Sequence, residues 1–145
     1  MISRSEWMTV LALSQSEDIE RHWRGIEAYP PFTWIKQPET GAVVVRARAS
    51  RTGCVFDLGE VTVTRCSVQI EGGIVGHAYV TGRNKRHAAI AAIFDALCQS
   101  SGDLRHYAET VLTDLHACLD ARRAKVAAQS YASAVDFSVQ LQEQP

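Results

Sequence analysis

Four side chains able to carry or exchange a proton, Arg83, Lys85, Arg86 and His87, crowd the stretch Gly82-Arg83-Asn84-Lys85-Arg86-His87-Ala88, where a glycine ends an apolar run of period two and a helical pattern begins. A helix start already carries partial positive charge on its unpaired N–H groups, so cations gathered there oppose the macrodipole and raise the local potential. Backbone donors joined by guanidinium and ammonium groups can hold phosphate-like oxygens through charge-assisted hydrogen bonds. These four residues are therefore the candidate anion- or nucleotide-binding set. A solvated basic cap is the commoner use of such a run. His87 stands three residues before Ile90 and seven before Phe94, on the apolar stripe of the helix, so a hydrogen-bonded packing role is the commoner expectation for it than acid-base work.

The remaining chemical inventory is thin. No G-x-x-x-x-G-K-[ST], G-x-S-x-G, H-E-x-x-H or G-x-G-x-x-G pattern occurs, and Gly72-Gly73 with Gly76 reads as a turn rather than a phosphate loop. Cys54, Cys66, Cys98 and Cys118 form no C-x-x-C pair, which predicts neither a metal site nor a redox motif, and Cys98 and Cys118 fall on apolar helical stripes as small core residues. No catalytic residue and no cofactor are assigned. His77 and Tyr79 share one face of a strand and can line a polar surface with Arg46, Arg48 and Arg65, although scattered outward arginines are the commoner case.

The elements that must position these groups follow from periodicity. Ser3 and Glu6 have capping-box spacing ahead of Trp7, Val10 and Leu11, and Ser16 is placed to cap a second helix carrying Ile19, Trp23 and Ile26. Pro30-Pro31 ends this helical region. From Phe32 to Thr81 the period is two, with turn chemistry at Arg51-Thr52-Gly53, Leu58-Gly59-Glu60 and Glu71-Gly72-Gly73, the pattern of an antiparallel meander. Between Glu60 and Ile70 the apolar parity switches, which predicts a β-bulge near Thr64-Arg65 unless Thr62 and Thr64 face inward. The helical period returns with Ile90, Ile93, Phe94, Leu97 and Cys98. It breaks at Ser100-Ser101-Gly102 and resumes, with Asp103 as N-cap, through Leu104, Tyr107, Ala108, Val111, Leu112, Leu115, Cys118 and Leu119. Arg122, Arg123 and Lys125 suit the C-terminal end of that helix dipole. Val135, Phe137, Val139 and Leu141 alternate with polar residues, which predicts a further C-terminal strand able to complete this sheet or join a partner's.

Helices, contiguous strands and helices predict an α+β fold in a single domain over residues 1–145, an antiparallel sheet packed against helices. With 15 Lys and Arg against 16 Asp and Glu, the chain has no global footprint for nucleic acid or an anionic membrane. Its apolar runs are far short of the ~20 residues that span a bilayer, and Met1-Ile2-Ser3-Arg4-Ser5-Glu6 lacks the regions of a secretory signal, so a cytoplasmic location is expected.

Five blocks in order carry a resemblance: Arg4-Ser5-Glu6-Trp7-Met8-Thr9-Val10-Leu11-Ala12; Glu39-Thr40-Gly41 with Val44 and Ala47-Arg48-Ala49; Gly59-Glu60-Val61-Thr62-Val63-Thr64-Arg65; Gly82 to Ala88 with Asp95-Ala96-Leu97; and Ser133-Ala134-Val135-Asp136-Phe137. In these the chain resembles the PhnG family, small subunits of the bacterial carbon-phosphorus lyase system. It departs from that pattern at Asn84, where an acidic residue is usual, and at Ala134, where a basic one is. The resemblance implies a subunit of a core complex with sister subunits H, I and J. That complex lets an alkylphosphonate displace the base of ATP or GTP to give alkylphosphonate on C1 of ribose 5-triphosphate. It also implies that this chain is not catalytic alone. A free-standing small nucleotide- or anion-binding α+β domain is the alternative, favoured by the basic helix start.

Overall fold

The computed structural model describes residues 3–26 and 29–135. Two short helices, α1 (Arg4–Leu13) and α2 (Ser16–Arg24), precede strands β1 (Phe32–Arg48), β2 (Val55–Ile70) and β3 (Val75–Thr81), which are followed by helices α3 (Lys85–Gln99) and α4 (Asp103–Ala132). The strands form one antiparallel sheet in the order β1-β2-β3, the meander of the expected α+β fold. The predicted C-terminal strand lies outside the described residues apart from Val135, which is not in a strand.

Helix α3 is the centre of the molecule. From Ala88 to Cys98 its sequence is apolar except at Asp95, and all but one of those residues are buried, so the helix is covered all round. It packs on β2 and β3 on one side and on α1, α2 and α4 on the other. Phe94, Ile93 and Leu97 meet Leu11 and Ile19 of the first helices, Val68 of the sheet and Val111 and Leu115 of α4 in one core. The layers come closest at Gly76 of β3, where a Cβ atom would stand 2.0 Å from the carbonyl oxygen of Ala92. Only glycine lets strand and helix backbones approach so nearly.

The local signals hold in part. Ser3 and Glu6 form the expected capping box on α1. At the next helix, Gln15 occupies the cap position without a side-chain bond, and Ser16 is the first helical residue, its hydroxyl engaged with Asn84 and His87 of α3 instead. Gly102, at φ 79°, likewise takes the cap position expected for Asp103. Helix α4 runs on to Ala132, so Arg122, Arg123 and Lys125 sit in its interior. Arg122 donates across to the Leu13 carbonyl at the end of α1, 2.7 Å away, and satisfies another helix's orphan acceptor.

In the sheet, the turns at Arg51-Thr52-Gly53 and Glu71-Gly72-Gly73 are present, but Leu58-Gly59-Glu60 lies within β2. Gly59 pairs with Val45 and Asp57 with Arg46, leaving Leu58 as the extra residue of a bulge; the glycine belongs to an irregular strand rather than to a turn. No bulge occurs at Thr64-Arg65, where pairing with both neighbouring strands is continuous. Thr64 faces inward in phase with Cys66, Val68 and Ile70, because its hydroxyl has a buried partner in the Gly82 carbonyl, 2.7 Å away. Cys98 is buried as expected, whereas Cys118 is exposed on α4 beside the stripe defined by Leu115 and Leu119.

Candidate functional site

The start of α3 is assembled by long-range hydrogen bonds. Gly82 leaves β3 at φ 98° while its N–H donates to Thr62, and the chain then enters the helix through Asn84. Asn84 accepts from the His87 backbone N–H at 2.9 Å, which makes it the N-cap; asparagine ranks with aspartate at that position, so the departure from an acidic residue keeps the cap. The Asn84 amide donates to Ser16 Oγ at 2.9 Å, and Ser16 Oγ lies 3.3 Å from His87 Nδ1. His87 Nε2 lies 2.8 Å from the Leu11 carbonyl, an acceptor only, so this nitrogen carries the hydrogen. Asn84, Ser16 and His87 thus form one polar chain tying the end of α1 and the start of α2 to α3.

The four candidate residues are therefore not equivalent. His87 is 3% exposed, with both ring nitrogens engaged by the protein. Arg86 reaches Glu20 of α2 at 3.2 Å, the carboxylate also approached by Arg24. Arg83 and Lys85 are exposed. An open cleft of about 410 Å³ is lined by Gln15, Ser16, Glu17, Thr81 and His87 among others, and neither Arg83 nor Lys85 is part of its lining. Glu17 places an acidic group on a wall of that cleft, where it offsets the basic helix start.

A second polar cluster lies at the middle of α3. Asp95 is fully buried and collects donors from α1 and β3. Arg4 approaches it in a fork, Nη2 to Oδ2 at 2.7 Å and Nε to Oδ1 at 3.2 Å; Trp7 Nε1 donates to Oδ1 at 2.8 Å, and the His77 backbone N–H to Oδ2 at 2.9 Å. Hydrogen bonding to the carboxylate raises the Arg4 pKa further above its usual range, against the opposing effect of burial. Gln99 donates to the Val75 carbonyl at 2.9 Å. Side chains of α1 and α3 thereby satisfy backbone groups on the outer edge of β3, which would otherwise be an open template for strand pairing. The sequence carries a signal for this cluster in the one charged residue of the apolar run Ala88–Cys98, which must find partners when buried. Arg4, Trp7 and Asp95 also stand in the blocks of family resemblance, far apart in the chain and joined in the fold.

On the side of the sheet away from the described helices, Arg65 donates to Glu39 at 2.6 Å and to the Tyr79 hydroxyl at 3.3 Å, and Ser67 Oγ lies 2.8 Å from His77 Nδ1. Hydrogen bonds from Lys36 and then Arg65 hold the Glu39 carboxyl below the ordinary carboxylate range. Arg65, His77 and Tyr79 thus share the expected polar surface, whereas Arg46 pairs with Asp57 3.1 Å away toward the far end of the ribbon. Burial pushes the Cys66 thiol up to about 11 and, with nearby Asp95, the Cys98 thiol up to about 12, values that suit packing rather than nucleophilic use.

Fold and clusters together define a small α+β protein with a buried carboxylate hub and a sheet covered by the described helices on one face. Over residues 2–140 the sequence matches the family described as phosphonate metabolism protein PhnG. It is also 38% identical over 134 residues, covering 92% of this chain and 85% of the relative, to the alpha-D-ribose 1-methylphosphonate 5-triphosphate synthase subunit PhnG of Rhizobium meliloti (strain 1021). The chain belongs to the PhnG family. Among the described residues no helix is long and apolar enough to cross a membrane.

Proposed function

We propose that this chain is a subunit of alpha-D-ribose 1-methylphosphonate 5-triphosphate synthase in phosphonate catabolism. The observation carrying this reading is its 38% identity to a named subunit of that synthase along nearly the whole of both chains. In this reading the protein acts in the cytoplasm with sister subunits H, I and J, and the assembly takes a nucleoside triphosphate and an alkylphosphonate as substrates. The chain's own part is structural: His87 and Asp95, the groups best placed by type for proton chemistry, bind other parts of the protein. Arg83 and Lys85, exposed at the start of α3, are the cations left to face an anion brought by the assembly.

Base release from ATP in the presence of methylphosphonate tests this reading. The purified chain alone should release no base, and omitting it from a mixture of the sister subunits should abolish the activity that the full set shows. Full activity without the chain would overturn the assignment. In the reconstituted assembly, Arg83→Ala/Lys85→Ala should lower the rate at least tenfold with unfolding unchanged, since a lost charge-assisted contact is worth about 1.5–3 kcal/mol. A wild-type rate would remove these residues from the site.

A further inference from the structure

Two hydroxyl side chains stand where local pattern calls for something else, and both reach the same short segment. Ser16 opens α2, but its hydroxyl lies against α3 rather than serving its own helix. Thr64 takes an inward position in line with Cys66 and Val68 of β2 and is 0% exposed. Their targets are Asn84 and Gly82, the residues on either side of Arg83.

The segment is held at both ends. Gly82 leaves β3 at φ 98°, where a Cβ atom would meet nothing within 4 Å, so glycine stands there for the turn and not for space. Its N–H donates to the Thr62 carbonyl at 2.8 Å, and its carbonyl accepts from Thr64 Oγ1 at 2.7 Å. Two residues on, the Asn84 amide donates to Ser16 Oγ at 2.9 Å while Asn84 Oδ1 accepts from the His87 N–H. His87 Nε2 carries its hydrogen toward Leu11, so Nδ1 is the acceptor and the Ser16 hydroxyl donates to it. Each hydrogen in this chain has one direction. Arg83 and Lys85, exposed on either side of Asn84, therefore project from a backbone tied to β2 at one end and to α2 at the other.

We propose that Ser16 and Thr64 are positioning residues for the anion contact, clamping Asn84 and Gly82 so that Arg83 and Lys85 stand at a fixed separation before an anion arrives. The inference rests on the reading of those two cations as the groups that face an anionic substrate of the synthase. Two long cationic side chains on a loose segment would have to order the backbone as well as themselves on binding, and a backbone fixed beforehand removes that part of the cost. Neither hydroxyl acts on the anion itself. Thr64 is buried, and Ser16 is engaged by Asn84 and His87.

Base release from ATP with methylphosphonate, measured on reconstituted synthase of full stoichiometry, tests the clamp. Ser16→Ala and Thr64→Val should each lower kcat/KM at least about fivefold through a raised KM, with kcat within about twofold, and Ser16→Thr should restore the wild-type value. In the Arg83→Ala/Lys85→Ala background, Ser16→Ala should change kcat/KM by less than about twofold, because a positioning residue acts only through the groups it positions. On the isolated chain, amide NMR relaxation should show Arg83 and Lys85 rigid in wild type and mobile in Ser16→Ala, which decides the question should a variant not assemble. A wild-type KM in either hydroxyl variant, the same loss with and without the two cations, or an equally rigid segment in Ser16→Ala overturns the proposal. Wild-type kinetics in Arg83→Ala/Lys85→Ala would remove the cation reading and this inference with it, whereas a loss there beside unchanged hydroxyl variants removes the inference alone.

Discussion

The body around α3 and the ribbon of residues 41–61 are made of the same sheet and obey opposite rules. In the body, strands β2 and β3 press apolar side chains onto a helix, and three buried polar side chains each have partners: Thr64 with Gly82, His87 with Leu11, Asp95 with Arg4 and Trp7. In the ribbon of β1 and β2, Val43, Phe56 and Val61 face away from the described helices and are exposed. Burial of apolar area stabilises by roughly 25 cal/mol per Å², so the chain gains its stability in the body. The difference separates the part of the sheet that carries the core from the part that adds little to it.

Substitutions in the two regions should therefore differ sharply in cost. Asp95→Ala removes the acceptor shared by an arginine, an indole and a strand-edge amide, and should destabilise by about 4 kcal/mol in denaturant unfolding, since the Trp7 Nε1–H and the His77 N–H lose their partner at roughly 1–3 kcal/mol each. A loss below ~1 kcal/mol would show that the hub does not hold the body together. Gly76→Ala would drive a Cβ into the backbone of α3 at Ala92 and Ala96, and should cost about 3 kcal/mol by overpacking, read in the same experiment. An unchanged midpoint would mean that strand and helix separate easily there.

A smaller effect follows from His22 on α2. Burial, helped by nearby Arg21, lowers its pKa below the ordinary 6.5 against the opposing pull of Asp114 and Asp18. The unfolded state then binds the proton first as pH falls, so the contribution is fully present above pH ~6.5 and is lost on acidification toward the folded-state value. Between pH 7.5 and 5.5 the wild-type unfolding midpoint should fall more than that of His22→Gln; equal falls would place His22 in an ordinary solvated setting. Least of all, Val43→Thr/Phe56→Ser in the ribbon should change the stability of the isolated chain by less than ~0.5 kcal/mol, as for other surface positions. A loss above ~2 kcal/mol would make the ribbon part of the body.

How much of this is legible in the sequence depends on whether the controlling contact is local. The helical stripe of α3, the capping box at Ser3 and Glu6 and the turn at Glu71-Gly72-Gly73 depend on neighbours in the chain, and each stands where periodicity and turn chemistry put it. Thr64 turns inward because of the carbonyl of Gly82, and Ser16 serves Asn84 and His87 rather than its own helix. Neither partner is visible to a local pattern. Gly59 mimics a turn because bulges and turns draw on the same residue. The candidate anion set is legible as a cluster of charge, but its internal division is tertiary: Arg86 is paired with Glu20 and His87 is buried, while Arg83 and Lys85 remain exposed. Asp95 is legible as the lone charge in the apolar run Ala88–Cys98, and its partners Arg4 and Trp7 are not, since they lie far away in the chain.

Hydrogen exchange, measured residue by residue on the free chain, tests the division between body and ribbon most directly. Amides of α3 should exchange slowly, near the global unfolding limit, whereas amides of residues 41–61 should exchange at least tenfold faster. Ribbon amides as protected as those of α3 would contradict it.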